Sequence, residues 1–271
     1  MRYPSYRKIF ALLILLGTGL SAALTSPLRA QEPVPPDDFE DLGFYQSYVF
    51  GRPDTPSRDW LLAYGGRLYD QWWAVLLQDP PVGTHPSYPA DGKRVGEDSW
   101  RCVECHGWDY RGRDGAYAEG EHVTAAPGIT RARGAAPETI VARLRDDTHR
   151  FTPEMIPDEA ALALALFVSE GQVDLGEVGD DAERRFRGDG ARGRAIFQNV
   201  CAICHDYDGG AWIGGEEGTG DSLGAIARNN PARALHKVMN GQTYADMPAL
   251  RALGQPTVVD ILTYVQGLEE R

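Results

Sequence analysis

Cys201-Ala202-Ile203-Cys204-His205 and Cys102-Val103-Glu104-Cys105-His106 are the two stretches around which the chain is organised. Together they use all 4 cysteines of the 271-residue sequence. In Cys-x-x-Cys-His, two thiols can add across the vinyl groups of a porphyrin, and the adjoining His stands where it can ligate the iron. With so few Cys and His, on the order of 10⁻³ such matches are expected by chance, so two are informative. One zinc shared by the two pairs is disfavoured, because the pairs lie 99 residues apart and each ends in His. A thioredoxin-type disulfide needs a single pair in a βαβ setting, which the sequence lacks. The cysteines therefore predict two covalently attached haem c groups, at Cys102/Cys105 and Cys201/Cys204, with His106 and His205 as proximal iron ligands.

Residues 1–30 read as an export signal. Arg2, Arg7 and Lys8 precede an uncharged, mostly apolar run from Ile9 to Leu24, and Leu28-Arg29-Ala30 offers a cleavage site after Ala30. An uncleaved anchor is disfavoured because the apolar run is short for a spanning helix of about 20 residues. Membrane association is expected only if that segment is retained. Covalent haem attachment takes place outside the cytoplasm, so the expected location is the periplasm. Losing Arg2, Arg7, Lys8 and Arg29 with no acidic residue takes the formal charge from −12 to −16. That balance argues against nucleic acid and anionic lipid, and favours redox protein partners with a basic docking face.

The rest of the chain reads as all-α with long loops. A Pro- and Asp-rich flexible lead-in (31–59) gives way to an aromatic helix from Trp60 to about Leu77, expected to be weak at Gly65-Gly66 but to let another helix approach closely there. Residues 78–100, rich in Pro and Gly, form a long insertion, expected to shape a docking face or to be an elaboration rather than to cover a cofactor edge. A Pro-started helix (137–145), a Pro-bracketed loop carrying Met155, and a helix from Asp158 to Glu170 close the first half. A charged stretch, 172–188, reads as the linker. The second half repeats the order: a Gly-aromatic helix from Gly193, the Cys201 motif, a Gly-rich loop (209–220), a helix from Pro231 to Asn240, a loop with Met247-Pro248, and a final helix from Pro256 to Leu268. The interval from motif His to loop Met is 49 residues in the first half and 42 in the second. The predicted domains are 60–171 and 189–271.

On Gly193-x-x-x-Phe197-x-x-x-Cys201-x-x-Cys204-His205, Met247-Pro248 and Tyr264, the chain resembles a dihaem c-type cytochrome made of two class I cytochrome c domains. The resemblance implies that Gly193 and Phe197 cross a terminal helix at Tyr264. It also implies a Met sulfur on the distal side of each iron: Met247 in the second half, and Met155 in the first, with His122 and His149 as rivals. Met239 reads as core, and His85 and His236 as solvated. The first half departs from the family, since 32 residues rather than three separate its helix aromatic, Tyr69, from the first Cys. The function implied is electron transfer between redox partners, alone or as the electron-transfer subunit of an oxidoreductase. The alternative is a dihaem oxidoreductase or peroxidase acting on a small substrate at an open haem.

Overall fold

A helix running from Arg58 to Val75 (α1) opens the computed structural model, which describes residues 53–210 and 222–269. The export signal and most of the lead-in therefore lie outside the described residues, as does most of the 209–220 loop. The elements that follow are α2 (Cys102–His106), α3 (Pro137–Leu144), α4 (Asp158–Leu166, running into a π turn over Phe167–Gly171) and α5 (Leu175–Val178). A two-residue antiparallel pair, β1 (Gly179–Asp180) and β2 (Arg185–Phe186), precedes α6 (Gly190–Ile196), α7 (Ala202–His205), α8 (Leu223–Asn229), α9 (Pro231–Asn240) and α10 (Gln255–Val265). All lie in one compact unit. The described residues are mostly helical, and none of their helices is long and apolar enough to cross a membrane.

α1 starts where Ser57 accepts a hydrogen bond from the Trp60 amide at 3.2 Å, satisfying one of the free N–H groups of the first turn. The helix does not weaken at its glycine pair. Gly65 lies so close to α4 that a Cβ would stand 2.2 Å from the Ala163 carbonyl oxygen. Gly66 lies as close to the side chain of Asn240 in α9. The glycines thus carry two close approaches, and the packing that results holds the helix intact. The kink falls at Gln71 (φ −158°, ψ 83°). There Arg101 Nε donates to the Asp70 carbonyl at 2.9 Å, a side chain taking a place in the helical ladder.

The second half crosses its helices in the same way. A Cβ at Gly193 in α6 would meet the Asp260 carbonyl oxygen of α10 at 1.9 Å. One turn on, Phe197 and Tyr264 bring their ring centres to 5.4 Å, as Tyr69 and Phe167 do at 5.5 Å in the first half. The correspondence holds position by position: Gly65, Tyr69, Ala163 and Phe167 against Gly193, Phe197, Asp260 and Tyr264. Tyr69 therefore completes the first crossing despite its distance in sequence from Cys102, because the 78–100 insertion loops out between them. Each half has its own core, one built on Trp72, Trp73, Leu164 and Phe167, the other on Phe197, Leu235, Ile261 and Leu262. Every such fully buried side chain contributes about 1.5–3 kcal/mol. Met239 belongs to the second core, as expected.

The 172–188 stretch, read as the linker, is packed: Leu175, Val178 and Phe186 join the second core and Asp174 caps α5. α8, capped by Ser222, went unread in the sequence because its short Leu-Gly-Ala-Ile run carries no clear helical period.

The halves meet along a buried polar seam where α9 packs on α1. Asp70 accepts from Lys237 Nζ at 2.5 Å, from an Arg101 guanidinium nitrogen at 2.7 Å and from Thr243 Oγ1 at 3.0 Å. His236 donates from Nε2 to the Gly66 carbonyl and accepts at Nδ1 from the Tyr110 hydroxyl, each at 2.9 Å. His236 is thus an interior residue with both ring nitrogens satisfied, not a solvated one, and burial lowers its pKa to about 3.

Candidate haem-binding site

The first motif sits on α2, a single turn that brings Cys102, Cys105 and His106 to one wall of a cavity of about 710 Å³. That volume lies within the range of about 300–1,000 Å³ usual for small-molecule and cofactor sites. The cavity is mainly apolar, with Ile140, Leu144, Phe151, Leu164 and Val168 on the walls furnished by α3, α4 and the loop between them. Burial pushes the Cys102 thiol up to about 12 and Cys105 up to about 11, so both are held protonated.

His106 Nδ1 donates to the Pro127 carbonyl at 2.8 Å. This bond orients the ring and places the free lone pair on Nε2, the arrangement a metal-ligating imidazole needs. Burial lowers the His106 pKa to about 4, keeping the ring neutral and able to donate that pair at neutral pH. An apolar cavity, two thiols and one oriented neutral imidazole suit a covalently held porphyrin iron. Within the motif, the buried Glu104 holds Arg101 at 3.4 Å and accepts from His122 Nδ1 at 2.8 Å. His122 also stacks on Tyr117 at 4.5 Å and does not line the cavity.

The insertion supplies one wall, with His85, Ser87, Ser99 and Trp100. It is pinned there by Trp100 Nε1 donating to the Gly83 carbonyl (2.9 Å), the His85 amide donating to Ser99 Oγ (2.8 Å) and His85 Nε2 donating to the His149 carbonyl (2.8 Å). It borders the cavity, the placement that covering a cofactor edge requires. His85 is interior rather than solvated, with Nδ1 accepting from the Ser87 amide at 3.1 Å. Apolar Val, Trp and Tyr residues scattered among prolines give no period from which that placement could be read.

His149 lines the same cavity as His106. The two ring centres are 6.1 Å apart with planes inclined by 23°. Met155 is half-buried against the first core and is not among the residues that line the cavity. Arg145 accounts for its setting: it donates to the Phe151 carbonyl (3.0 Å) and the Ile156 carbonyl (2.7 Å), tying down both ends of the Pro-bracketed loop.

The second motif continues from a π turn over Phe197–Cys201 into α7. Cys201 is half-buried with its pKa raised to about 11, Cys204 is exposed, and burial lowers the pKa of His205. Met247 is half-buried in the loop after α9. Residues 211–221, between α7 and α8, lie outside the described residues.

Residues 188–265 match the family model described as cytochrome C oxidase, cbb3-type, subunit III. The chain is also 37% identical over 83 residues to a protein of Synechocystis sp. named cytochrome c-553-like, an alignment covering 30% of this chain and 71% of that protein.

Proposed function

Because this chain belongs to the c-type cytochromes, we propose that it is a periplasmic dihaem electron carrier built of two class I cytochrome c domains, 60–171 and 189–271. Membership of the family implies covalently bound haem c, electron transfer and redox protein partners in general. The observation that carries the finer reading is the repeated helix crossing, Gly65/Tyr69 on Ala163/Phe167 and Gly193/Phe197 on Asp260/Tyr264, each followed by a Cys-x-x-Cys-His turn. Cys102 and Cys105 hold one haem beside His106; Cys201 and Cys204 hold the other beside His205, with Met247 as its distal ligand. When bound, the haem supplies a one-electron couple at iron, whose potential depends on axial ligands, burial and hydrogen bonding.

The chain's own residues set those conditions. The Pro127 carbonyl fixes the tautomer of His106, the apolar walls from α3 and α4 exclude water, and the insertion closes one side. Partners with a basic docking face suit the acidic chain, either free in the periplasm or as the catalytic part of an oxidoreductase that this protein serves.

The test is a haem count and an N-terminal sequence on the exported protein. Two covalent haems and a start near Gln31 are expected. Replacing both Cys of either motif by Ser should lower the count to one. Met247→Ala should open one iron to carbon monoxide. A single haem in the wild type refutes the dihaem reading, and an intact N-terminus refutes cleavage after Ala30.

A further inference from the structure

We propose that His149, rather than Met155, is the distal axial ligand of the haem attached at Cys102 and Cys105. This rests on the haem reading above and deepens it.

The geometry carries the argument. Two imidazoles facing each other across one iron, with a metal–nitrogen distance of about 2.0–2.1 Å and each nitrogen about 1.1 Å from its ring centre, have centres about 6.3 Å apart. His106 and His149 stand at 6.1 Å with nearly parallel planes, and both line the same cavity beside the two cysteines.

The surroundings of His149 are those of a ligand. Its Nδ1 donates to Asp146 Oδ1 at 3.1 Å, and its own amide donates to the same oxygen at 2.9 Å. Arg143 holds the other carboxylate oxygen at 2.7 Å. A carboxylate on Nδ1 orients the ring and leaves Nε2 as the donor atom, the same device that the Pro127 carbonyl provides for His106. On the far side, the His149 carbonyl accepts from His85, so the insertion braces the backbone of the ligand loop.

The competitors are engaged elsewhere. Both nitrogens of His85 are used by backbone groups, and His122 is bonded to Glu104 outside the cavity. Met155 is half-buried and is not among the residues that line the cavity.

The functional consequence is a difference in potential between the irons. A thioether favours reduced iron and raises the potential, whereas a second imidazole does not. The first haem is then the low-potential site and the Met247-ligated haem the high-potential one. Electrons run downhill from the first half to the second, so the chain has a direction.

The test uses the purified diheme holoprotein and its His149→Ala, Met155→Ala and His149→Met variants. Wild type should bind no carbon monoxide, and its ferric far-red methionine–iron band should have the intensity of one such bond per two haems. His149→Ala should take up one equivalent of carbon monoxide at an unchanged haem count, while Met155→Ala takes up none. Carbon monoxide uptake by Met155→Ala, by the wild type, or a two-bond methionine band in the wild type would each overturn the assignment. Should His149→Ala not accumulate, His149→Met replaces it: doubling of the methionine band supports the proposal, and an unchanged band overturns it. A haemochrome count of one in the wild type would instead fail the dihaem reading, and the ligand assignment with it.

Discussion

Replacing Asp70 by Asn removes the anion at the centre of the seam between α1 and α9. The carboxylate side chain is only 2% exposed, and its two oxygens are taken by Lys237, Arg101 and Thr243 at 2.5–3.0 Å. Burial works against its ionisation, but the Lys237 and Arg101 cations outweigh that and hold its pKa well below the carboxylate range. A unit pair about 4 Å apart is worth about 4 kcal/mol at an effective dielectric of about 20, and desolvation returns several kcal/mol of this. Breaking one partner of such a buried pair costs about 3–5 kcal/mol, because Lys237 is left charged and uncompensated. For a chain of this size, that lowers the unfolding midpoint by about 6–20 °C. Thermal unfolding of holoprotein at pH 7, followed by far-ultraviolet circular dichroism, measures it. Asp70→Asn/Lys237→Met should recover most of the loss, since an apolar isostere leaves no stranded charge. The sign with pH is set by a native pKa below the unfolded value of about 3.9. The stabilisation is complete above the unfolded value and fades as pH falls towards the native one, so the gap between wild type and variant narrows in acid. A midpoint shift under about 2 °C, or a double variant no better than the single one, would refute the reasoning.

Two further outcomes follow from the same packing. His236 is neutral in the fold, with a native pKa of about 3 against about 6.5 unfolded. The unfolded chain then binds the proton first, and wild type should lose about 2 kcal/mol between pH 7 and pH 5 from this group. Denaturant titrations should show that slope flattened in His236→Gln; Asp70, Lys237 and Arg251 also face the ring. At the helix crossings, Gly193→Ala and Gly65→Ala drive a methyl group into backbone, and each should cost about 1–3 kcal/mol or more by urea unfolding. Gly190→Ala in the first turn of α6, whose Cβ would meet only Thr263 Cγ2 at 3.7 Å, should be neutral or mildly stabilising.

Sequence alone was sufficient wherever the determinant was local. Two five-residue motifs specify what the cysteines and their histidines can bind, since attachment needs only those side chains at that spacing. Proline at Pro137, Pro231 and Pro256, and the turn at Gly241 (φ 88°), delimit helices that the structure describes within a few residues of expectation. The pairing of Gly193 and Phe197 with Tyr264 came from the family resemblance, which this half carries because its aromatic and cysteine keep the family's short spacing.

The first half resisted that reading. Only the folded chain shows that Tyr69 completes its crossing, that the insertion walls the cavity, and that His149 rather than Met155 borders it. Each of these depends on contacts between residues tens of positions apart, made by loops whose course is set by single hydrogen bonds such as those of Arg145. The seam is the extreme case: Asp70 and Lys237, 167 residues apart, look like any two surface charges. Their pairing is decided by the angle at which α9 comes to lie on α1, which no local pattern encodes.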